Sequence, residues 1–323
     1  MKVQCELCPK MCIIAPGQSG DCRVRINIDG ALRTVVYGYP CSIHIDPVEK
    51  KPMFHFLPGT GILSLATVGC NLHCKFCQNW EISQANPEDS EVIACPPQQI
   101  VELTKEKRCP SIAYTYTDPI VYYEYTYDTA KLARENGLRN VLVTAGYINP
   151  APWKRLLQYI DGANIDLKGI TEEFYREVCS ATLRPVQQAL IDAVTAGIIV
   201  EVTNLVVPTL NDKPEQIREL SRWVRANLGS DIPLHFSGFY PQYKMRYLPD
   251  TSLATLELAR RIAIEEGMNF VYIGNVRSET GENTYCPGCK RLLIERKGYT
   301  ILQNRLKDGC CPDCSRQIYG IWK

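Results

Sequence analysis

Short apolar runs alternate with amphipathic stretches through the middle of the chain, between residues 62 and 276. The runs are rich in β-branched residues and have the length of strands, while the intervening stretches repeat their apolar residues with helical spacing. This pattern predicts strands at residues 62–68, 111–117, 140–145, 163–167, 198–207, 234–239 and 270–273. It predicts helices near residues 97–107, 121–136, 151–160, 186–197, 214–228 and 252–266.

Strands that alternate with helices form parallel sheets with helical crossovers. Gly137, Gly197 and Gly267 follow three of the predicted helices as C-terminal caps, and Pro214 suits the first turn of another. Six strand–helix units, instead of eight, predict an α/β fold of the partial, TIM-like (β/α)6 barrel type. The open side of such a barrel can admit a large substrate.

The two ends of the chain do not follow this alternation. Residues 1–61 contain a group of cysteines and then a predicted strand at 31–37, while residues 281–323 carry a cysteine pattern of their own. We therefore predict three parts: an N-terminal cysteine-rich segment at 1–61, a barrel at 62–280 and a C-terminal module at 281–323.

Charge and hydropathy exclude two classes of partner. The net charge is only +1, with acids and bases interspersed, so neither nucleic acid nor membrane binding is expected. No apolar run reaches the roughly 18–20 residues that span a bilayer, and Cys5 and Cys8 interrupt any secretory signal pattern. The 16 cysteines favour metal binding over disulfides. These features predict a cytoplasmic protein.

Cys70, Cys74 and Cys77 form a C-x3-C-x2-C motif directly after the predicted strand 62–68. Each thiolate can bind one iron of a four-iron, four-sulfur (4Fe-4S) cluster, which leaves the fourth iron open to a small molecule. The carboxyl ends of parallel strands are also where α/β folds place their active sites. With Phe76 the motif resembles the C-x3-C-x-Φ-C signature of radical S-adenosylmethionine (SAM) enzymes. A zinc loop with His73 as the fourth ligand is the alternative.

Polar residues at the ends of other predicted strands are candidates for SAM contacts. Asp118, beside Thr117 at the end of strand 111–117, can accept a hydrogen bond from the ammonium group of SAM, although it can also cap the next helix. Asp166 and Lys168 lie two residues apart and so share a face, where they suit the ribose hydroxyls and the carboxylate, or form a local ion pair. Two further candidates are Asn204 and Gly274.

Two other groups of cysteines predict metal sites. The N-terminal group offers four thiolates for zinc or, alternatively, for an auxiliary iron–sulfur cluster. The C-terminal group consists of two C-x2-C pairs, which are typical of a zinc ribbon or a rubredoxin-like site that binds zinc or iron. Cys179 is among four isolated cysteines. The proposed ligands are Cys5, Cys8, Cys12 and Cys22 in the first group and Cys286, Cys289, Cys311 and Cys314 in the second.

Four segments together resemble the AmmeMemoRadiSam-system radical SAM enzymes: EKKPMFHFLPG at 49–59, GCNLHCKFCQNW at 69–80, YTDP at 116–119 and the terminal cysteine module. That family is related to the pyruvate formate-lyase (glycyl-radical) activating enzymes. The resemblance implies that Cys70, Cys74 and Cys77 bind the cluster and that the segments at 118 and 166–168 contact SAM. It also implies association with Memo-like or AMMECR1-like proteins. Reductive cleavage of SAM needs an electron donor, and we expect a reductant such as a ferredoxin or flavodoxin.

These observations predict an oxidoreductase that cleaves SAM reductively and abstracts hydrogen from an unidentified small-molecule or peptide substrate with a 5′-deoxyadenosyl radical. One alternative is an activase that forms a glycyl radical on a partner protein. The alternative from another class is a metal-stabilised scaffold or binding protein whose central cluster is structural.

Overall fold

The computed structural model describes all 323 residues. Its centre is an eight-stranded sheet in which the strands neighbour one another in chain order, and the first and last strands do not pair, so the sheet is open. The first strand runs antiparallel to the second and the remaining neighbours are parallel. The strands are Ser42–Pro47, Gly61–Ala66, Ser111–Tyr114, Arg139–Thr144, Gly162–Asp166, Ile199–Val206, Leu234–Gly238 and Val271–Gly274.

Six helices connect the seven parallel strands. They are Pro97–Glu106, Tyr123–Glu135, Pro150–Leu157, Leu183–Thr195, Pro214–Asn227 and Leu253–Glu265. The sequence-based prediction of a parallel α/β sheet is therefore confirmed. Shorter helical turns lie at Trp80–Ser83 and Glu172–Phe174, and a π-helical turn lies at Tyr175–Cys179.

Burial on both faces explains why the central strands read as continuous apolar runs. Every residue of Ser111–Tyr114 and Leu234–Gly238 is buried. The strand Ser42–Pro47 was not predicted, because its residues are mostly exposed or half-buried and give no apolar run. It pairs along Gly61–Ala66 and covers an edge of the sheet that would otherwise leave backbone groups unpaired.

The N-terminal segment packs against the barrel. Its short strands Val3–Gln4 and Ile13–Ile14 pair with each other, and Arg25–Ile28 pairs with Ala31–Thr34, where a strand was predicted. Cys5, Leu7, Cys22 and Val24 belong to the main hydrophobic core of the protein. The segment is thus joined to the barrel by apolar burial, which is the dominant source of stability in a domain.

The C-terminal module has a small core of its own. Its strands are Thr284–Tyr285, Leu292–Lys297 and Thr300–Asn304. Leu293 and Ile294 pack with Phe54, Phe270 and Tyr272 at the amino end of the barrel. The predicted boundaries at residues 61 and 281 remain a proposal. No helix combines the length and the apolar character that a membrane crossing requires.

Candidate active site and metal-binding cysteines

A large cavity opens at the carboxyl ends of the parallel strands, with a volume of about 1420 Å³ including its mouth. Its position agrees with the usual place of active sites in α/β barrels. The loop with the three central cysteines forms one wall, and residues from the ends of the other strands form the rest. The polar and sulfur-containing lining includes Cys70, Cys74, Cys77, Thr117, Asp118, Thr144, Asp166, Lys168, Thr203, Ser237 and Asn275.

The cysteine loop is held in place by its backbone. Gly69 has a φ of 92°, and a Cβ there would lie 2.6 Å from Val24 and 2.7 Å from the carbonyl oxygen of Cys22. Glycine is therefore required both for the conformation and for the close approach of the N-terminal segment. Further along the loop, the backbone N–H of His73 donates to the carbonyl of Cys179 at 3.0 Å.

The three central cysteines fit a multi-iron cluster better than a single ion. All three residues line the cavity, but their Sγ atoms do not all lie within 4.8 Å of one another. Burial raises the pKa of the Cys70 and Cys77 thiols, so these thiols do not ionise readily without a cation. A coordinated metal reverses this effect, since it deprotonates a bound thiol outright. Three thiols with sulfur atoms at these separations therefore suit a 4Fe-4S cluster.

Asp118 ties together the ends of two strands. Its Oδ1 accepts hydrogen bonds from the hydroxyl of Thr144 at 2.9 Å and the N–H of Ile120 at 3.1 Å, while Oδ2 accepts from the N–H of Ala145 at 2.9 Å. Burial raises the pKa of the Asp118 carboxyl, and these donors oppose the rise. The following helix begins at Tyr123, so Asp118 organises a turn before it. Its contact with SAM remains a prediction.

Asp166 and Lys168 form the expected pair at the cavity wall, with Nζ 2.7 Å from Oδ2. The backbone N–H of Lys168 donates to the hydroxyl of Tyr175 at 3.0 Å. Nearby Asp166, Cys74 and Cys179 outweigh burial and raise the pKa of Lys168, so its ammonium group is retained. Both side chains therefore present charges to the cavity, and their contact with SAM remains a prediction.

The remaining predicted SAM contacts differ in position. Thr117 lines the cavity and its hydroxyl donates to the carbonyl of Thr67 at 2.8 Å. Asn204 lies outside the cavity: its Nδ2 donates to the carbonyl of Leu167 at 2.8 Å, and its neighbour Thr203 lines the cavity instead, because side chains alternate along a strand. Gly274 adjoins the wall without lining it, and the next residue, Asn275, does line it.

Sequence reasoning missed two features of this site. Cys179 is not isolated, since it lies near enough to Cys74 to raise the pKa of that thiol. Lys51 reaches the cavity, where its Nζ lies 2.6 Å from Asp46 Oδ2 and 4.1 Å from the centre of the Tyr116 ring. Burial lowers the pKa of Lys51 to about 8. Neither feature has a signal in the sequence, because each depends on distant segments of the chain.

The C-terminal cysteines form a compact group. The Sγ atoms of Cys286, Cys289, Cys311 and Cys314 all lie within 4.8 Å of one another. Cys286 and Cys314 are separated by 3.5 Å and Cys289 and Cys311 by 3.6 Å. Cys310 is outside this group, and its thiol donates to Gln317 at 3.1 Å. Four thiolates at this separation suit one tetrahedral ion.

Comparison with known proteins identifies the class of protein to which this fold and site belong. The family model of the radical SAM superfamily matches residues 64–224. A radical SAM methyltransferase from Sphaerobacter thermophilus shares the fold with a TM-score of 0.55, at 16% identity, over 70% of this chain and 69% of that chain. SuiB of Streptococcus suis, solved with S-adenosylmethionine, gives a TM-score of 0.52 at 15% identity over 71% and 53% of the two chains.

Relatives at the sequence level support the same class. An uncharacterized protein of Methanocaldococcus jannaschii is 52% identical over 98% of this chain and 95% of its own length. A pyruvate formate-lyase-activating enzyme of Clostridium pasteurianum is 22% identical over 49% of this chain and 66% of that enzyme. The chain belongs to the radical SAM superfamily, and the family implies a 4Fe-4S cluster and SAM at the central site.

Proposed function

We propose that this protein cleaves SAM reductively and abstracts a hydrogen atom from a small-molecule or peptide substrate. The observation that carries the proposal is the convergence of three cysteines with Asp118, Asp166 and Lys168 on one cavity. A bound 4Fe-4S cluster would supply a strongly reducing electron to the sulfonium of SAM, giving methionine and a 5′-deoxyadenosyl radical.

The residues of the chain bind and orient. Cys70, Cys74 and Cys77 would provide three thiolates. The ammonium of Lys168 and the carboxylate of Asp166 would bind the carboxylate and the hydroxyls of SAM, because they are fixed beside each other at the wall. Holding the reacting groups in one geometry converts binding energy into rate.

The wall of the cavity around Lys51 and Tyr116 favours a polar substrate. Lys51 and Tyr116 lie there, and both contact Asp46, which thereby neutralises part of the positive charge. A lysine whose pKa is lowered to about 8 by burial can bind an anionic group or exchange a proton near neutral pH.

A second function is activation of a partner protein through a glycyl radical. The similarity to the Clostridium pasteurianum activating enzyme favours it. We propose a ferredoxin or flavodoxin as reductant for either function, and Memo-like or AMMECR1-like proteins as partners on the strength of the sequence resemblance.

The test is anaerobic reconstitution followed by reduction with dithionite and chromatography of the products of SAM. We expect the natural protein to form methionine and 5′-deoxyadenosine. In Cys74→Ser the rate of SAM cleavage should be lower by about 100-fold or more. Cys95→Ser is the matched control, since Cys95 is also buried but does not line the cavity.

Deuterium carried from a labelled substrate into 5′-deoxyadenosine would identify a small-molecule or peptide target. A persistent glycyl radical signal on an added protein would instead identify an activase. A colourless protein that binds zinc at Cys70, Cys74 and Cys77 and leaves SAM intact would contradict both functions and support a scaffold.

A further inference from the structure

The N-terminal cysteines surround a second cavity. Cys5, Cys8, Cys12 and Cys22 all line a space of about 370 Å³, including its mouth. The segment folds back on itself through the pairing of Val3–Gln4 with Ile13–Ile14, and the N–H of Cys5 donates to the carbonyl of Cys12 at 2.9 Å. The fold therefore gathers thiols from both sides of a turn around one interior.

The separation of the sulfur atoms distinguishes a single ion from a cluster. One zinc holds thiolates at about 2.3 Å, which places the sulfur atoms of a tetrahedral site about 3.8 Å apart. The C-terminal cysteines show separations of 3.5 and 3.6 Å. In the N-terminal group no three Sγ atoms lie within 4.8 Å of one another. A 4Fe-4S cluster requires its thiolates to lie further apart than those around a single ion, because each thiolate binds a different iron.

The lining of the second cavity suits an anionic cluster. Ile14, Ile120 and Val121 make part of it apolar, and two of its three charged residues are basic, namely Lys10 and Arg25 beside Asp21. Arg25 is 8% exposed, and its terminal nitrogens donate to Glu124 at 2.7 and 2.9 Å. Its Nε is buried without a hydrogen-bond partner. A buried donor without an acceptor costs free energy, and a thiolate or sulfide in the cavity would accept a hydrogen bond from this N–H.

The second cavity shares a wall with the catalytic loop. Asn71, the residue after Cys70, lines the second cavity, whereas Cys70 and Leu72 line the central one. The same loop is held to the N-terminal segment by His73, whose Nε2 lies 2.9 Å from Asp21 Oδ2. No residue lines both cavities. A cluster closed by four cysteines beside this wall has no free iron for substrate, so electron transfer is the chemistry left to it.

We propose that Cys5, Cys8, Cys12 and Cys22 hold a second 4Fe-4S cluster, which passes single electrons to the central site. The electron-transfer role rests on the proposed function, whereas cluster binding does not. In each cycle a low-potential protein donor of the ferredoxin or flavodoxin class gives one electron to the second cluster. That cluster returns to its oxidised state when the electron moves on, and no bond is made or broken at it.

Metal content tests cluster binding without any assay of activity. The reconstituted natural protein should contain about eight iron and one C-terminal ion per chain. A variant in which Cys70, Cys74 and Cys77 are all alanine should keep about four iron. Its reduced electron paramagnetic resonance spectrum should not change when SAM is added. Two zinc ions and no iron in this variant would overturn the proposal, even if the natural protein cleaves SAM.

A double variant tests the electron-transfer role. Cys8→Ser with Cys12→Ser should lose about four iron but keep the SAM-sensitive signal of the central cluster. With flavodoxin as donor, its SAM cleavage should fall about tenfold or more, while dithionite should restore most of it. Cys286→Ser with Cys289→Ser is the matched control and should respond equally to both donors. An equal response of the N-terminal variant to both donors would overturn the electron-transfer role.

Discussion

At the scale of single residues, buried polar side chains hold the barrel together at both ends. His55 is completely buried at the amino end. Its Nδ1 donates to the carbonyl of Tyr319 at 2.6 Å, and its Nε2 accepts from the hydroxyl of Tyr272 at 2.6 Å. A neutral imidazole satisfies both contacts, and burial lowers the pKa of His55 to about 4. The neutral form of His55 is therefore the one that the folded protein favours.

Stability should therefore depend on pH through His55. The unfolded chain protonates this residue near its ordinary pKa of 6.5 and the folded chain only near 4, so its contribution is complete above 6.5 and declines as pH falls from 6.5 to 4. The difference corresponds to about 3 kcal/mol. Urea unfolding at about pH 7.5 and about pH 4.5 should show a smaller loss in His55→Gln than in the natural protein. The exposed His44→Gln should show the natural loss.

Asp118 permits a second prediction at this scale. Asp118→Asn replaces one acceptor oxygen with a donor that faces the N–H of Ala145 or the hydroxyl of Thr144. We expect a loss of about 1–3 kcal/mol in the free energy of unfolding, measured with urea. If Asp118 also binds the ammonium of SAM, the folded variant should bind SAM about tenfold or more weakly than the natural protein does, as measured by calorimetry. Unchanged affinity would reduce Asp118 to a structural residue.

At the scale of elements, the cysteine loop and the N-terminal segment depend on each other. They approach each other closely at Gly69, since a Cβ there would overlap Val24 and the Cys22 carbonyl. Hydrogen bonds from Arg23 to Gln84 and between His73 and Asp21 extend the contact along the loop. The loop that carries the central cysteines is therefore shaped by a segment that precedes it by some fifty residues.

Gly69→Ala should disturb both elements. Gly197→Ala is the matched control, because Gly197 also has a positive φ but a Cβ there meets nothing within 4 Å. We expect Gly69→Ala to lower the free energy of unfolding by about 1–3 kcal/mol more than the control does. Denaturant unfolding measures this difference, and equal effects of the two substitutions would show that the contact with Val24 is loose.

At the scale of the whole molecule, the C-terminal module connects to the amino end of the barrel. The N–H of Leu57 donates to the carbonyl of Ile321 at 2.7 Å. Buried Arg296 donates to the carbonyl of Phe54 at 2.8 Å. The module therefore packs against the amino end of the barrel, while Tyr299, in the turn between its last two strands, also lines the central cavity.

Loss of the C-terminal metal should destabilise the protein. Cys289→Ser removes one of four thiols, so we expect about one ion fewer per chain and a melting temperature lower by roughly 5–10 °C. Cys310→Ser should change neither quantity, because Cys310 lies outside the group. Metal analysis and calorimetry provide the two measurements. An equal loss in both variants would show that Cys310 takes part in the site.

The sequence by itself determined the order of the seven parallel strands and the six helices between them, because apolar spacing records which faces are buried. It also identified the central cysteines, since ligands three and four residues apart need no knowledge of the fold. Only the tertiary structure decided that Thr203, not Asn204, faces the cavity and that Cys179 lies beside Cys74. It also determined that no three of the N-terminal thiols lie within 4.8 Å of one another. These features depend on strand register and on contacts between distant segments, which local patterns do not record.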